Sequence, residues 1–349
     1  MIDILLNESS YWMTGQGPDA EIVLTSRMRF ARNIKGITFP HRADSKQKVR
    51  VFNIVEKAVK NSQYMQGSLI LKLDKMDAID RQFLVERRII SREHSTRTGG
   101  TGVAISEKEI VSVMINEEDH IRMQVLYPGF QLTEVFKLAN QLDTEFENHI
   151  DYAFLPSLGY LTACPTNVGT GIRASVMMHL PALVLAKQIE QVIQAILKLG
   201  LAVRGLYGEG TEASGNIFQI SNQVTLGKSE EEILNNLDGV IRQIVGHERN
   251  ARDLLLKTKL KQVEDRVCRA YGLLTNVRTI SSKETVDLLS ALRMGVDLGL
   301  LKEVERVTIN ELFMITQPAH LQKLSGKKLG PTERDIIRAD LVRERLLKK

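Results

Sequence analysis

The feature that most restricts how this chain can fold is a change of periodicity near residue 256. Before it, runs that alternate like strands are interleaved with longer stretches whose apolar residues recur at helical spacing. After it, no two-residue alternation remains. Helical spacing is carried by Val49, Phe52, Val55, Ala58 and Val59 within 46–60, and by 76–90, 131–149 and 181–199. The last of these has Pro181 near its first turn and Gly200 as its stop. Strand-like runs lie at 22–24, 109–115, 121–127, 152–161, 201–207 and 217–226; in 121–127, Ile121, Met123 and Val125 oppose Arg122 and Gln124. Residues 91–102 read as a polar loop, and Ser229 with Glu232 forms a capping box for a helix through about residue 256. Strand pairs among long helices, without a regular βαβ repeat, predict an α+β fold.

Beyond residue 256, helices are expected from Ser281 with Glu284, from Thr332, and over 261–271 and 308–315. The chain therefore divides into a lead-in over 1–20, a mixed domain over 21–256 and a helical C-terminal domain over 257–349. Composition narrows the class. Of 349 residues, 43% are hydrophobic and 26% charged, an ordinary globular balance, and the net charge of +5 does not favour direct nucleic-acid binding. The N-terminus lacks the basic and apolar regions of a signal peptide, and no run of 18 apolar residues suggests a membrane span. Cys164 and Cys268 sit in unlike contexts without metal-ligand spacing, which predicts a reduced, cytoplasmic protein with no protein-held metal.

Chemistry concentrates in five short stretches. Arg27 and Arg29 share one face of a strand, Arg122 lies on the strand after Asn116–His120 (NEEDH), Arg173 follows CPTNVGTG, and Arg204 leads into a Gly-rich loop. Five permanently charged forks so placed can clamp a polyphosphate, although arginines at this spacing also occur on ordinary surfaces. NEEDH fits a solvated turn, or a base with a second carboxylate ligand. Glu209 and Glu212 add carboxylates on the Gly-rich loop, and carboxylates suit a guanidinium as they suit other amines. Cys164 fits a core thiol or a reactive one. In the tail, Arg334 and Arg338 lie one helical turn apart beside Asp335, as in a surface ion-pair ladder. Neither a P-loop nor the protein-kinase signatures occur.

Taken together and in order, NEEDH with Arg122, CPTNVGTG with Arg173, and Arg204 before a Gly-rich loop resemble the phosphagen (guanidino) kinases over roughly residues 21–254. The SYWM…GP…IVLTSRMRFARN start and the helical tail resemble the bacterial protein-arginine kinases within that family. The resemblance implies an antiparallel sheet flanked by helices and transfer from ATP with Mg²⁺. It implies that Arg27, Arg29, Arg122, Arg173 and Arg204 hold the nucleotide phosphates. Glu118 and Glu209 would meet the substrate guanidinium, with Glu118 as base, and Cys164 would position it. Arg334, Asp335 and Arg338 would bind phosphoarginine at an allosteric site. As partners it implies arginine-bearing proteins, an activator of the McsA kind, a heat-shock repressor of the CtsR kind, a Clp unfoldase/protease and a second copy of the chain. Two departures stand out: Ile105 in place of the family's histidine and Met114 in place of its tryptophan. His94 is expected near the nucleotide. The short segment before Arg27 leaves no room for the helical domain that closes over free guanidino compounds, which favours a protein substrate over free arginine. A catalytically weak scaffold is the remaining alternative, and the retained site residues speak against it.

Overall fold

The computed structural model describes residues 2–6, 8–205 and 214–348. Among these residues the strands run β1 (Val23–Arg32), β2 (Leu69–Lys72), β3 (Gly102–Ile105), β4 (Val111–Ile115), β5 (Ile121–Pro128), β6 (Phe154–Leu155), β7 (Gly159–Tyr160), β8 (Ile172–His179), β9 (Leu201–Gly205) and β10 (Ile217–Asn222). The helices of the first part are α1 (Ser45–Asn61), α2 (Ala78–Glu86), α3 (Arg92–Thr96), α4 (Leu132–Glu147), α5 (Pro181–Leu185) and α6 (Ile189–Lys198). Then follow α7 (Glu230–Asn276), α8 (Ser282–Asp297), α9 (Arg306–Ile315), α10 (Pro318–Ser325) and α11 (Pro331–Leu347). Eight strands form one antiparallel sheet in the order β2-β3-β4-β5-β1-β8-β10-β9, and β6 pairs with β7 as a small hairpin. The expected α+β fold with a flanked antiparallel sheet is what the chain adopts.

The period of two along the strands decides what each face meets. On β1, Met28 and Phe30 point to the face covered by α4 and are fully buried. Each contributes about 1.5–3 kcal/mol of burial. Arg27 and Arg29 therefore point the other way. Arg32 lies on the α4 face, where it donates to Asp143 at 2.6–3.1 Å and stacks 3.5 Å from the Tyr160 ring centroid. The arginine face is covered at both ends. Leu24, Met177 and Ile217 pack with Val286, Leu289 and Phe313 of the C-terminal helices. Leu71, Val103, Ile105 and Met114 pack with Phe83, Leu84 and Ala319. Between those two seams a strip of the sheet stays open.

Several elements depart from expectation. α7 runs unbroken past residue 256, because no glycine or proline lies between Gly246 and Gly272; only Lys259 leaves helical geometry. The helix expected over 181–199 is two, since Lys187 turns left-handed (φ 59°) between α5 and α6. The run 152–161 makes the short β6–β7 hairpin and two isolated bridges, Tyr152 to Ile34 and Tyr160 to Gly169, in place of a continuous strand. The polar loop 91–102 contains α3, capped when the Ser91 hydroxyl accepts from the His94 amide at 3.0 Å. The lead-in is an integral wedge: Trp12 and Met13 are buried against Leu126 and Met314. Among the described residues no helix is long and apolar enough to cross a membrane.

Candidate active site

Strand register brings the arginines together. Arg29 is paired with Arg173 on β8 and with Gln124 on β5, and Ala31 with Arg122. Arg27 is paired with Ser175 on β8, and Arg204 on β9 with Gln219 on β10. All five side chains thus rise from the same face of the sheet. Arg27 donates to Ser175 Oγ at 3.2 Å and to Gln219 Oε1 at 2.8 Å. Arg29 Nε and Arg173 Nε are buried and, among the described residues, without a hydrogen-bond partner. Burial and the charges of Arg88, Arg122, Arg173 and Arg204 push Arg27 down to about 9. Burial, with Arg27, Arg122 and Arg173 around it, pushes Arg29 well below its ordinary value. Buried donors without acceptors, in a crowd of like charge, are costly to leave unmatched. A polyanion such as a triphosphate supplies the missing acceptors and relieves the repulsion, so the arginine set fits the nucleotide its pattern implies.

Two cavities open on this strip. The larger, about 730 Å³, is lined by Arg27, Arg29, Arg88, Met114, Arg122 and Gln124 on one side and by Lys283, Val286, Gln317 and Pro318 on the other. The smaller, about 80 Å³, is lined by Arg29, Glu118, Arg122, Cys164, Asn167 and Arg173. Arg29 and Arg122 border both. Arg204 stays exposed at the end of its strand and lines neither.

NEEDH is a tight turn in which the side chains of Asn116, Glu117, Asp119 and His120 each hold a different neighbour. Asn116, left-handed at φ 58°, donates to the carbonyls of Lys48 at 2.9 Å and Gly100 at 2.7 Å. Glu117 accepts from Arg122 Nη1 and from Ser91 Oγ, both at 2.6 Å, and from the Glu118 amide at 3.0 Å. Burial works against its charge, but those three donors outweigh it and hold the carboxyl down at about 2. Asp119 Oδ1 accepts from Asn33 Nδ2 at 2.6 Å and from the Ala163 amide at 2.7 Å, tying the turn to the Cys164 loop. His120 Nδ1 accepts from the Ile34 amide at 3.0 Å, so its Nε2–H donates to Thr38 O at 2.9 Å and the ring is neutral. Glu118 alone faces the small cavity; among the described residues its carboxylate meets no hydrogen-bond donor. Burial, then the neighbouring Asp119 and Glu117, raise its pKa. A half-buried carboxylate with a raised pKa and no partner is suited to accept a proton.

Cys164 Sγ lies 2.9 Å from Thr166 Oγ1. Its loop is pinned from below: Thr225 Oγ1 contacts the carbonyls of Thr166 at 2.9 Å and Val168 at 2.7 Å. A Cβ at Gly171 (φ 64°) would meet Arg32 Nη1 at 2.6 Å and Ala31 O at 2.7 Å, so only glycine lets the loop close against β1. Glu209 lies outside the described residues. In the tail, Arg338 is buried and bonded to Asp335, whereas Arg334 and Asp335 are half-exposed, and Arg334 donates to Leu329 O at 2.9 Å. Among the described residues no group of three or more His, Cys, Asp or Glu is placed to hold a metal ion.

Some expectations shift. His94 is wholly buried, bonded to Gly102 O at 2.9 Å, and lines neither cavity; burial holds it down at about 4. Ile105 is buried in the seam with α2, whereas Met114 does line the large cavity. Arg88 and the wall from α8 and Gln317 were missed. Arg88 is left-handed (φ 64°) just past α2, a turn that no glycine, asparagine or proline marks. The wall is a contact between distant segments that no local pattern carries.

The comparisons with known proteins agree with this geometry. Residues 50–251 match the family "ATP:guanido phosphotransferase, C-terminal catalytic domain", and residues 260–349 match "Protein-arginine kinase McsB C-terminal domain". The protein-arginine kinase of Geobacillus sp. (strain WCH70) is 51% identical over 97% of this chain and 94% of its own. That of Bacillus subtilis (strain 168) is 51% identical over 97% and 93%. Among solved structures, a lombricine kinase superposes with a TM-score of 0.58 at 26% identity, over 70% of each chain. A duplicated taurocyamine kinase from Schistosoma mansoni gives 0.59 at 25%, over 76% of this chain and 38% of that one. Arginine face, acidic turn and tail thus converge on one assignment: the chain belongs to the ATP:guanido phosphotransferase family, among its protein-arginine kinases.

Proposed function

We propose that this kinase transfers the γ-phosphoryl group of Mg-ATP to the guanidinium of arginine residues in proteins, with the triphosphate in the large cavity and the acceptor arginine in the small one. The observation that carries the reading is the shared wall: Arg29 and Arg122 border both cavities, so the phosphate end of one faces the acceptor end of the other. Phosphoryl transfer needs positioning and dispersed positive charge more than covalent help. ATP would supply the phosphoryl group, and Mg²⁺ bound with it would offset part of the triphosphate's charge. Arg27, Arg29 and Arg173 grip the phosphates, with Arg204 at the rim. Arg122, fixed by Glu117, stands at the junction. Glu118 takes the proton from the guanidinium nitrogen as that nitrogen bonds to the γ-phosphorus and the bond from phosphorus to the bridging oxygen breaks, releasing ADP. Cys164, held beside Thr166, orients the acceptor, and Glu209, outside the described residues, is assigned as the second substrate carboxylate.

In the tail, Arg334 and Asp335 are open enough to meet a phosphoarginine, with Arg338 acting from beneath them. The further partners follow from the same membership: an activator of the McsA kind, a CtsR-like repressor as substrate, and a Clp unfoldase/protease that receives the marked proteins. The enzyme is proposed to work in the cytoplasm as a homodimer. Incubation with Mg-ATP and an arginine-bearing protein, followed by phosphosite mass spectrometry at neutral or mildly basic pH, is expected to find acid-labile phosphoarginine. Phosphate confined to free arginine would overturn the protein substrate. Glu118→Gln is expected to lose at least a hundredfold in kcat, on the order of general-base contributions, while ATP still binds; unchanged turnover would remove Glu118 from its role.

A further inference from the structure

The second wall of the large cavity comes from two separate stretches of chain, and one buried side chain ties them together. The first stretch is the start of α8: Ile280 leads through the cap Ser281 into Ser282, Lys283 and Val286, which line the cavity. The second is the α9–α10 junction: Thr316 leads into Gln317 and Pro318, which also line it. Arg338, on α11 and 2% exposed, donates from Nε to Thr316 O at 2.9 Å and from Nη1 to Ile280 O at 2.8 Å. The same Nη1 bonds to Asp335, whose backbone carbonyl accepts from the Ile280 amide at 3.1 Å. Both backbone polar groups of Ile280 are thus held by α11. Arg338 itself touches neither cavity.

α8 also reaches across to the exit of the Gly-rich loop. Gly215 N donates to Asp287 Oδ1 at 3.2 Å, Asn216 Nδ2 donates to Ser290 Oγ at 2.8 Å, and a Cβ at Gly215 would meet Val286 Cγ1 at 2.7 Å. A shift of the α8 start therefore moves the cavity wall and the anchor of the loop that follows β9 as one piece.

We propose that Arg338 is a positioning residue for the nucleotide, acting through Ile280 and Thr316 to set the wall formed by Lys283, Val286 and Gln317. This rests on the reading that the large cavity takes ATP. A planar guanidinium suits the task because it bridges two carbonyls from fixed directions, whereas an ammonium holds one well and two poorly. Loss of the clasp would loosen nucleotide binding and leave the acceptor side, on the far side of Arg29 and Arg122, in place.

The experiment is steady-state kinetics on the full chain with an arginine-bearing protein as acceptor, plus equilibrium titration with Mg-ATP. For Arg338→Gln, KM for ATP is expected to rise about tenfold with kcat within about twofold, and Arg338→Lys to recover part of the loss. Lys283→Gln, on the cavity side of the same wall and exposed, is expected to raise KM for ATP in the same direction without touching the clasp. If the Arg338 variants fail to fold by circular dichroism, Lys283→Gln and Gln317→Ala decide the matter. Wild-type KM in both would overturn the proposal, as would folded Arg338→Gln with wild-type KM, or with equal loss in kcat and kcat/KM. Arg27→Gln with Arg29→Gln tests the underlying reading separately. If that pair leaves Mg-ATP affinity unchanged, the cavity is not the nucleotide's; if it abolishes binding while the Arg338 and wall variants behave as wild type, the clasp alone fails.

Discussion

A single oxygen, Asp119 Oδ1, joins two halves of the site: it accepts from Asn33 beside β1 and from the amide just before Cys164. Burial raises the pKa of this carboxyl, yet the two hydrogen bonds favour its charged form. Asp119→Ala leaves the Ala163 amide without its acceptor and frees the Cys164 loop. A misplaced loop costs orientation more than binding, so kcat is expected to fall by roughly tenfold to a hundredfold, with KM for ATP little changed. Stopped-time phosphorylation assays over a range of ATP concentrations separate the two effects. The division of labour inside NEEDH was only half legible in the sequence. Three carboxylates in a turn announce chemistry, but which of them is tied to Arg122 and Ser91, which to Asn33 and the Cys164 loop and which is left without a donor depends in part on residues as far as 26 and 86 positions away.

At the scale of elements, period two sorts the arginines of β1: Arg27 and Arg29 go to the open face, and Arg32 goes to α4. That assignment was readable from alternation alone for Arg27 and Arg29, because Met28 and Phe30 mark the opposite face. The bond from Arg32 to Asp143 was not readable, because it needs the position of α4. The pair is almost fully buried, with side-chain exposures of 1% and 8%. Removing one partner strands the other charge inside the protein, so Asp143→Ala is expected to destabilise the fold by about 3 kcal/mol, seen as a lower urea midpoint. The other elements divide in the same way. Strand pairs and the capping box at Ser229 follow from local pattern. The break at Lys187, the run of α7 through residue 256 and the cap on α3 depend on packing or on the absence of a stop signal.

Across the whole molecule four histidines are buried; besides His120 in the acidic turn, three sit at junctions: His94 in the α3 segment, His179 between the sheet and α8, and His320 between α10 and α2. His179 Nε2 lies 2.9 Å from Ser290 Oγ, and His320 Nδ1 lies 2.8 Å from Glu86. Burial lowers all three, His94 to about 4 and His179 well below its ordinary value, the latter aided by Arg293 and Arg252. The folded state therefore binds fewer protons than the unfolded one. This stability is fully present above pH 6.5, the ordinary histidine value, and is lost as pH falls toward 4. His94 alone is expected to contribute about 3 kcal/mol of that loss. Urea titrations at pH 7.5 and pH 5, compared with His94→Gln, check it: the variant is expected to show a shallower dependence on pH.

The seam formed by Leu24, Met177 and Ile217 against the C-terminal helices bears on how this enzyme can be cut. A shortened kinase ending at residue 256 would keep most of the arginine face and the acidic turn. It would also present that apolar strip to solvent and sever α7 partway along its length. The tail is a structural lining of the catalytic sheet, so a minimal active fragment must retain α8 and α9, or replace Leu24, Met177 and Ile217 with polar residues, to stay dispersed in water.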